Sequence, residues 1–259
     1  VDLPYVDGMS NGSLILRAAV SAAGDLYHQE IASPAQKSVW QAWSLIASLA
    51  SRAGGDVAVA WYNLRWLVYY QRADQWVMMT SSANDGTSWS APVGVYRPSR
   101  TAALAACGPY LFVLENTLRA YHLNPDMASW SGPYILSGCM PASDAGVAAI
   151  IRPTAGSGQI VRVLFTMGGG IRSTAYAPVT QTFGPVLPIS PGRDQVLSTD
   201  AAYRWPSLYA LDEEELVASW VECWQGDLAP WRRPVSRFSR DGEHWGMELA
   251  LAGSAETDR

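Results

Sequence analysis

Ser82-Ala83-Asn84-Asp85-Gly86-Thr87-Ser88-Trp89 and, near the other end of the chain, Ser239-Arg240-Asp241-Gly242-Glu243-His244-Trp245 read as two versions of one turn. A Ser hydroxyl and an Asp or Asn side chain at these offsets satisfy turn amides, and Gly supplies a backbone position with positive φ. A Trp then returns the chain to an apolar layer. Strand-like runs lead into both turns, Val77-Met78-Met79-Thr80-Ser81-Ser82 into the first and Val235-Ser236-Arg237-Phe238-Ser239 into the second.

Outward from these turns, an aromatic followed by an apolar or Pro-containing tail recurs at Trp40, Trp89, Trp130, Phe183 and Trp245, separated by 49, 41, 53 and 62 residues. A four-stranded propeller blade repeats at about 40–50 residues. Between the marks the chain reads as short strands with turn residues at their ends: 13–20, 25–30, 56–61, 66–70, 76–81, 110–115, 118–123, 147–152, 160–165, 208–211 and 216–220. Only 38–51 carries a helix-like pattern, and its tryptophans fit the repeat better.

The first turn resembles the Asp-box of bacterial neuraminidase (BNR) repeats, Ser-x-Asp-x-Gly-x-Thr-Trp, with Asn84 in the Asp slot and Ser88 in the Thr slot. The second is similar to the shorter Ser-x-Asp-Gly-x-x-Trp variant, with Phe238 and Arg240 in the Ser and Asp slots of the longer pattern. Asp56–Tyr62 ahead of the first box, and Trp205–Leu208 with Val217–Trp220 ahead of the second, look like the strands of a family blade. The resemblance covers a little under half the chain. It implies an all-β, sialidase-like β-propeller of four-stranded blades, with the box joining third and fourth strands on the face away from the catalytic one. Ser82, Asn84, Gly86, Ser88, Trp89, Ser239, Asp241, Gly242 and Trp245 are then structural. Five blades are expected in a single domain 1–259, over 1–52, 53–99, 100–145, 146–196 and 197–259.

A working sialidase would carry three arginines for the substrate carboxylate, an acid/base Asp, a Tyr nucleophile assisted by Glu, and an early Phe/Tyr-Arg-x-Pro motif. Tyr203-Arg204-Trp205-Pro206 matches that motif but lies in the last fifth of the chain, where it is expected to begin an inner strand. Asp7, Glu30 and Glu115 are available carboxylates, and Asp212-Glu213-Glu214-Glu215 reads as a charged hairpin tip. A glycosidase pair must face each other across roughly 5–10 Å, and no motif sets up such a pair. His28, His122 and His244 are too widely spaced for a zinc signature, and Gly168-Gly169-Gly170 reads as a loop or bulge. No catalytic residue, metal site or cofactor is assigned.

Composition narrows the function classes. With 259 residues, 49% hydrophobic, 16% charged and a net charge of −5, the chain can bury a core but offers no electrostatic footprint for nucleic acid. No apolar run reaches the roughly 20 residues of a membrane span. Cys107, Cys139 and Cys223 show no CxxC spacing, which leaves free thiols or a single bridge. The chain starts at Val1, consistent with processing or with a piece of something longer.

Twelve Trp and 12 Tyr against 4 Phe favour rings that combine an apolar face with a polar edge. Two stretches group them with Arg as candidate ligand platforms: Trp61, Tyr62, Arg65 and Trp66 in one, Trp224, Trp231 and Arg232 in the other, with Arg204 nearby in sequence. The reading that follows is a non-catalytic recognition propeller that binds glycan or another extracellular surface, at a cell or virion surface or outside the cell. Alternatives are a structural module of a larger assembly and a sialidase-like glycoside hydrolase.

Overall fold

Turn residues cut the chain into short runs, and adjacent runs pair antiparallel. The computed structural model describes residues 5–32, 40–47, 53–83, 85–137, 146–153, 158–168, 170–190, 201–211, 215–226, 229–247, 249–250 and 256–257, with backbone alone for 5–6, 32, 47, 53–55, 201–205, 223–226, 229–233, 250 and 256–257. Among these residues no helix forms. Blade one is β1 (Tyr5–Ser10), β2 (Leu14–Val20), β3 (Leu26–Ala32) and β4 (Ser44–Ala47). Blade two is β5 (Ala53–Tyr62), β6 (Arg65–Arg72), β7 (Val77–Ser82) and β8 (Val93–Tyr96), and blade three is β9 (Ala103–Cys107), β10 (Tyr110–Leu114), β11 (Leu118–Leu123) and β12 (Trp130–Leu136). Blade four is β13 (Val147–Pro153), β14 (Gln159–Met167) and β15 (Gly170–Ala177), with an outer strand in two pieces, β16 (Thr182–Phe183) and β17 (Leu187–Pro188). Blade five is β18 (Ala201–Ala210), β19 (Leu216–Gly226) and β20 (Ala229–Ser239), again with a divided outer strand, β21 (Leu249–Ala250) and β22 (Glu256–Thr257). These are five four-stranded antiparallel blades of a β-propeller.

The chain divides into two compact units, 1–115 with 120–133, and 116–119 with 134–259. In the first, the period-two alternation of a strand serves two cores at once. Val57, Val59, Trp66, Val68 and Tyr70 pack with Leu16, Ala18, Val20 and Leu26 of blade one. The intervening Ala58, Ala60, Leu67 and Tyr69 pack with Leu104, Ala106, Leu111, Val113, Tyr121 and Leu123 of blade three. In the second unit Leu164, Ile171 and Ile189 of blade four pack with Leu208, Leu216, Ala218, Trp220 and Val235 of blade five. Cys107 is a buried free thiol, its pKa pushed up by that burial. Cys139 and the side chain of Cys223 lie outside the described residues.

Both boxes join third to fourth strands, β7 to β8 and β20 to β21. In the second, the Gly242 N–H donates to Ser239 Oγ (2.8 Å), while Asp241 Oδ1 accepts from the N–H groups of Glu243 (2.8 Å) and His244 (2.7 Å) and from Ser239 Oγ (3.1 Å). Burial alone would raise the Asp241 pKa, but these bonds and the His244 ring at 2.6 Å hold the carboxyl well below the usual range; the same carboxylate raises His244. In the first box the Gly86 N–H donates to Ser82 Oγ (3.0 Å); Asn84 lies outside the described residues, and Ser88 is exposed. Trp89 and Trp245 pack on the cores of their units.

Each box glycine is also where one blade touches the blade before it. A Cβ on Gly86 (φ +82°) would collide with Glu30 Oε1 and the His28 ring, and one on Gly242 (φ +73°) would stand 2.7 Å from Arg162 Nε. Arg162 is buried and donates to the Asp241 carbonyl (2.7 Å) and to Glu243 Oε1 (2.9 Å). Gly242→Ala is therefore expected to lower unfolding free energy by about 1–3 kcal/mol, measured by urea denaturation. An unchanged midpoint and slope would show that the turn tolerates a side chain.

Inner strands are stapled by carboxylates. Asp7 on β1 accepts the Val59 N–H of β5 (2.7 Å), and Asp56 on β5 accepts the Leu104 N–H of β9 (2.9 Å). Desolvation raises Asp7 to about 7 and Asp56 to about 6, against the hydrogen bonds that favour the ionised form. A carboxyl whose folded pKa exceeds its unfolded value favours the fold while protonated; that contribution is full below the unfolded 3.8 and is lost as pH rises through about 6 and about 7. Asp7→Asn keeps an acceptor for Val59 and removes the ionisation. The melting temperature of this variant relative to the parent is expected to climb from about pH 4 to about pH 8, and a difference that stays flat or shrinks would refute the assignment.

Candidate functional site

The aromatic marks prove to be repeating hydrogen-bond stations. In blades one, two, four and five the residue after the aromatic donates its N–H to the third strand: Gln41 to the Glu30 carbonyl (2.9 Å), Ser90 to Ser81 (2.8 Å), Gly184 to Ala175 (2.8 Å) and Gly246 to Phe238 (2.8 Å). The third strand replies with a side chain, Thr80 Oγ1 donating to the Ser90 carbonyl (2.8 Å) and Thr174 Oγ1 to Gly184 (3.0 Å). In blade one the replying residue is Gln29, whose Nε2 donates to the Gln41 carbonyl.

Gln29 is longer than Thr, and its second end builds a site. It lies directly opposite Arg17 on β2, and its Oε1 accepts from Arg17 Nε (2.8 Å) and Nη2. The guanidinium is thereby held over two indole rings, 4.0 Å from the centroid of Trp40 and 5.0 Å from that of Trp43. Gln29 is buried, while Arg17, Trp40 and Trp43 are half-buried. The Arg17 Nη1 group has no acceptor among the described residues. A cation in register, aromatic faces beside it and partial exposure are the ingredients of a small polar-ligand site.

The sequence-selected platforms sort differently. Trp61 to Trp66 forms a tight hairpin whose central residues Asn63 (φ 49°) and Leu64 (φ 57°) both take positive φ, the geometry of a type I′ turn. Trp66 is fully buried and meets Trp61 edge-on at 4.8 Å, so it belongs to the core and presents no face to a ligand. Trp61, Tyr62 and Arg65 are half-buried at the hairpin. This hairpin lies at the box end of blade two, since Trp66 pairs with Ser82.

In blade five the stretch that holds Trp224, Trp231 and Arg232 is a ladder of paired strands running from Leu216↔Ser239 to Gly226↔Ala229. Trp224 pairs with Ala201 and with Trp231, and Arg232 pairs with Cys223, all at the end of the blade away from its box. Arg204 lies on the inner strand β18, opposite Val221 and beside a register shift. The side chains of Arg204, Trp224, Trp231 and Arg232 lie outside the described residues.

The remaining carboxylates are committed to packing. Glu115 is buried and accepts from Tyr96 Oη (3.0 Å), the Ser99 N–H (2.7 Å) and Ser99 Oγ, fixing the link from β8 to β9. Glu30 lies 3.3 Å from His28 against the first box; burial raises the one and lowers the other. Residues 212–214 lie outside the described residues. Glu215 lines a cleft of about 350 Å³ with Phe238, Ser239, Arg240, Asp241 and His244, where the Asp241 oxygens are already occupied by the turn. Gln29, Trp40 and Trp43 were not legible as a site from sequence. The available signal was Arg17, a lone charge inside the apolar run Leu14–Val20.

No protein-family model matches the chain, and no curated protein matches it. Solved structures do. A six-bladed β-propeller fungal lectin from Aleuria aurantia, described with a novel fucose recognition mode, superposes with a TM-score of 0.63 over 100% of this chain and 80% of its own, at 13% identity. The SapL1 lectin, solved with α-methyl fucoside, gives 0.61 over 96% and 82%, at 14% identity. The NanB sialidase from Streptococcus pneumoniae gives 0.54 over 75% and 32%, at 10% identity. At these identities the likeness is one of fold: the chain shares the β-propeller with both lectins and a sialidase.

Proposed function

We propose that this chain is a non-catalytic recognition β-propeller that binds carbohydrate outside the cell or at a surface, and that Arg17, Gln29, Trp40 and Trp43 form its binding site. The observation that carries the reading is the Arg17 guanidinium, fixed by Gln29 and held over two indoles on a half-buried residue. Aromatic faces accept the C–H face of a sugar ring, and a planar, pre-oriented guanidinium binds its oxygens at low entropic cost. Fucose-recognising lectins on the same fold support carbohydrate as the ligand class. The Trp61–Arg65 hairpin and the Arg204, Trp224, Trp231 and Arg232 end of blade five are secondary contact surfaces in this reading.

A glycan array followed by intrinsic tryptophan-fluorescence titration tests it. The parent chain is expected to retain a subset of glycans, and Arg17→Ala to weaken that binding by about tenfold or more, a loss of about 1.4 kcal/mol, with an unchanged melting temperature. No retention by the parent chain would overturn the reading. Binding that survives Arg17→Ala would move the site to one of the secondary surfaces.

A further inference from the structure

We infer that the Arg17 site takes an anionic saccharide, one that offers a carboxylate or a sulfate to the guanidinium; this rests on the carbohydrate-binding reading above. The ground for it is an inventory of donors and acceptors. A sugar hydroxyl both donates and accepts, so a site matched to a neutral sugar presents both kinds of group. Here the acceptor beside Arg17 is consumed. The two lone pairs of Gln29 Oε1 receive Arg17 Nε and Nη2, the Gln29 amide donates to the Gln41 carbonyl, and the Gln41 N–H goes to the Glu30 carbonyl. What the cluster has left at Arg17 is guanidinium N–H, which only donates.

Charge leads to the same ligand. Gln29 holds Arg17 without neutralising it, and among the described residues no carboxylate pairs with Arg17. Glu30, the next residue along β3, lies with His28 against Gly86 of the first box. Asp7 is engaged by the Val59 N–H. The guanidinium of a half-buried Arg17, with no carboxylate partner among the described residues and donors to spare, is complementary to an acceptor-only anion, which it can grip through two parallel N–H···O bonds. The net charge of −5 opposes indiscriminate capture of polyanions, so retention of one reports on the site.

The test titrates the full chain with oligogalacturonate, which carries carboxylates, with dextran sulfate, which carries sulfates, and with unsubstituted dextran, alongside the neutral members of the array. At least one anionic probe is expected to bind and to be weakened by added salt, and the two probes separate carboxylate from sulfate. Gln29→Glu is the decisive variant, because it places a negative charge on Arg17; its carboxylate cannot donate to the Gln41 carbonyl, so it also gives up that hydrogen bond. It is expected to weaken anionic binding by about tenfold or more while remaining folded, with a melting temperature lowered by the lost hydrogen bond to Gln41. Should it fail to fold, Arg17→Gln, which removes the charge and keeps a polar side chain, is read in its place. Arg17-dependent binding confined to neutral glycans would overturn this inference and leave carbohydrate recognition standing, whereas no binding at all would overturn both. Anionic binding that persists in Gln29→Glu and Arg17→Gln would place the anion elsewhere and overturn the inference alone.

Discussion

A four-stranded sheet that is apolar on both faces cannot stand in water, and this constraint organises the rest of the molecule. Strand β5 sends Val57 and Val59 to one side and Ala58 and Ala60 to the other, and β6 does the same with Trp66, Val68 and Tyr70 against Leu67 and Tyr69. Each face must then be covered by a neighbour, and the polar elements serve that contact. Gly86 sits against His28 and Glu30, Gly242 against Arg162, Asp7 binds Val59, and Asp56 binds Leu104. Apolar burial supplies the drive, while glycines and carboxylates set the spacing and register of adjoining strands.

This division explains what the sequence disclosed. The all-β class and the blade repeat were legible because the two box turns place Gly at positive φ and an aromatic at a fixed offset, and such a pattern leaves a local trace. Strands whose chemistry is less distinctive were not. β9 is an Ala-rich run, Ala103–Cys107, buried throughout and free of β-branched residues. The first half of β20 contains Pro230 and Pro234, residues that cannot donate to a strand ladder, yet β20 pairs with β19 along its length. The box motif also understates its own recurrence. Asp126 Oδ1 accepts the Ala128 and Ser129 N–H groups (3.0 Å each) and Met127 takes the positive φ (58°) that Gly takes in the other boxes, so Asn124–Trp130 is the same turn without its glycine.

The candidate site was hidden for a different reason. Arg17 and Gln29 are neighbours only once β2 and β3 pair, and Trp40 and Trp43 join them only after the chain returns toward β4. Locally, Arg17 stands out only as a lone charge inside the apolar run Leu14–Val20 and Trp40 only as an aromatic of the repeat, and nothing local joins the four. Trp61-Tyr62-Asn63-Leu64-Arg65-Trp66, by contrast, is conspicuous in sequence, and the fold places one of its two indoles, Trp66, wholly in the core. Clustering along the chain pointed to a hairpin, whereas clustering across a strand pair made the site.

The repeat itself shows how a structural position becomes a chemical one. Gln29, Thr80 and Thr174 occupy the same station, each donating to the carbonyl of the residue that follows the blade's aromatic. Opposite them stand Arg17, Val68 and Val163. Threonine has one hydroxyl and uses it on the staple, so its partner across the strands can be apolar and buried, as Val68 and Val163 are. Glutamine makes the same staple with its amide nitrogen and still has an oxygen to spend, which is what allows an arginine to stand at a position that is otherwise core. The fold therefore tolerates a charged group in blade one at little structural cost, because the residue that holds the outer strand also holds the charge. Of these three stations only that of blade one carries a charge, although the scaffold beneath it is repeated.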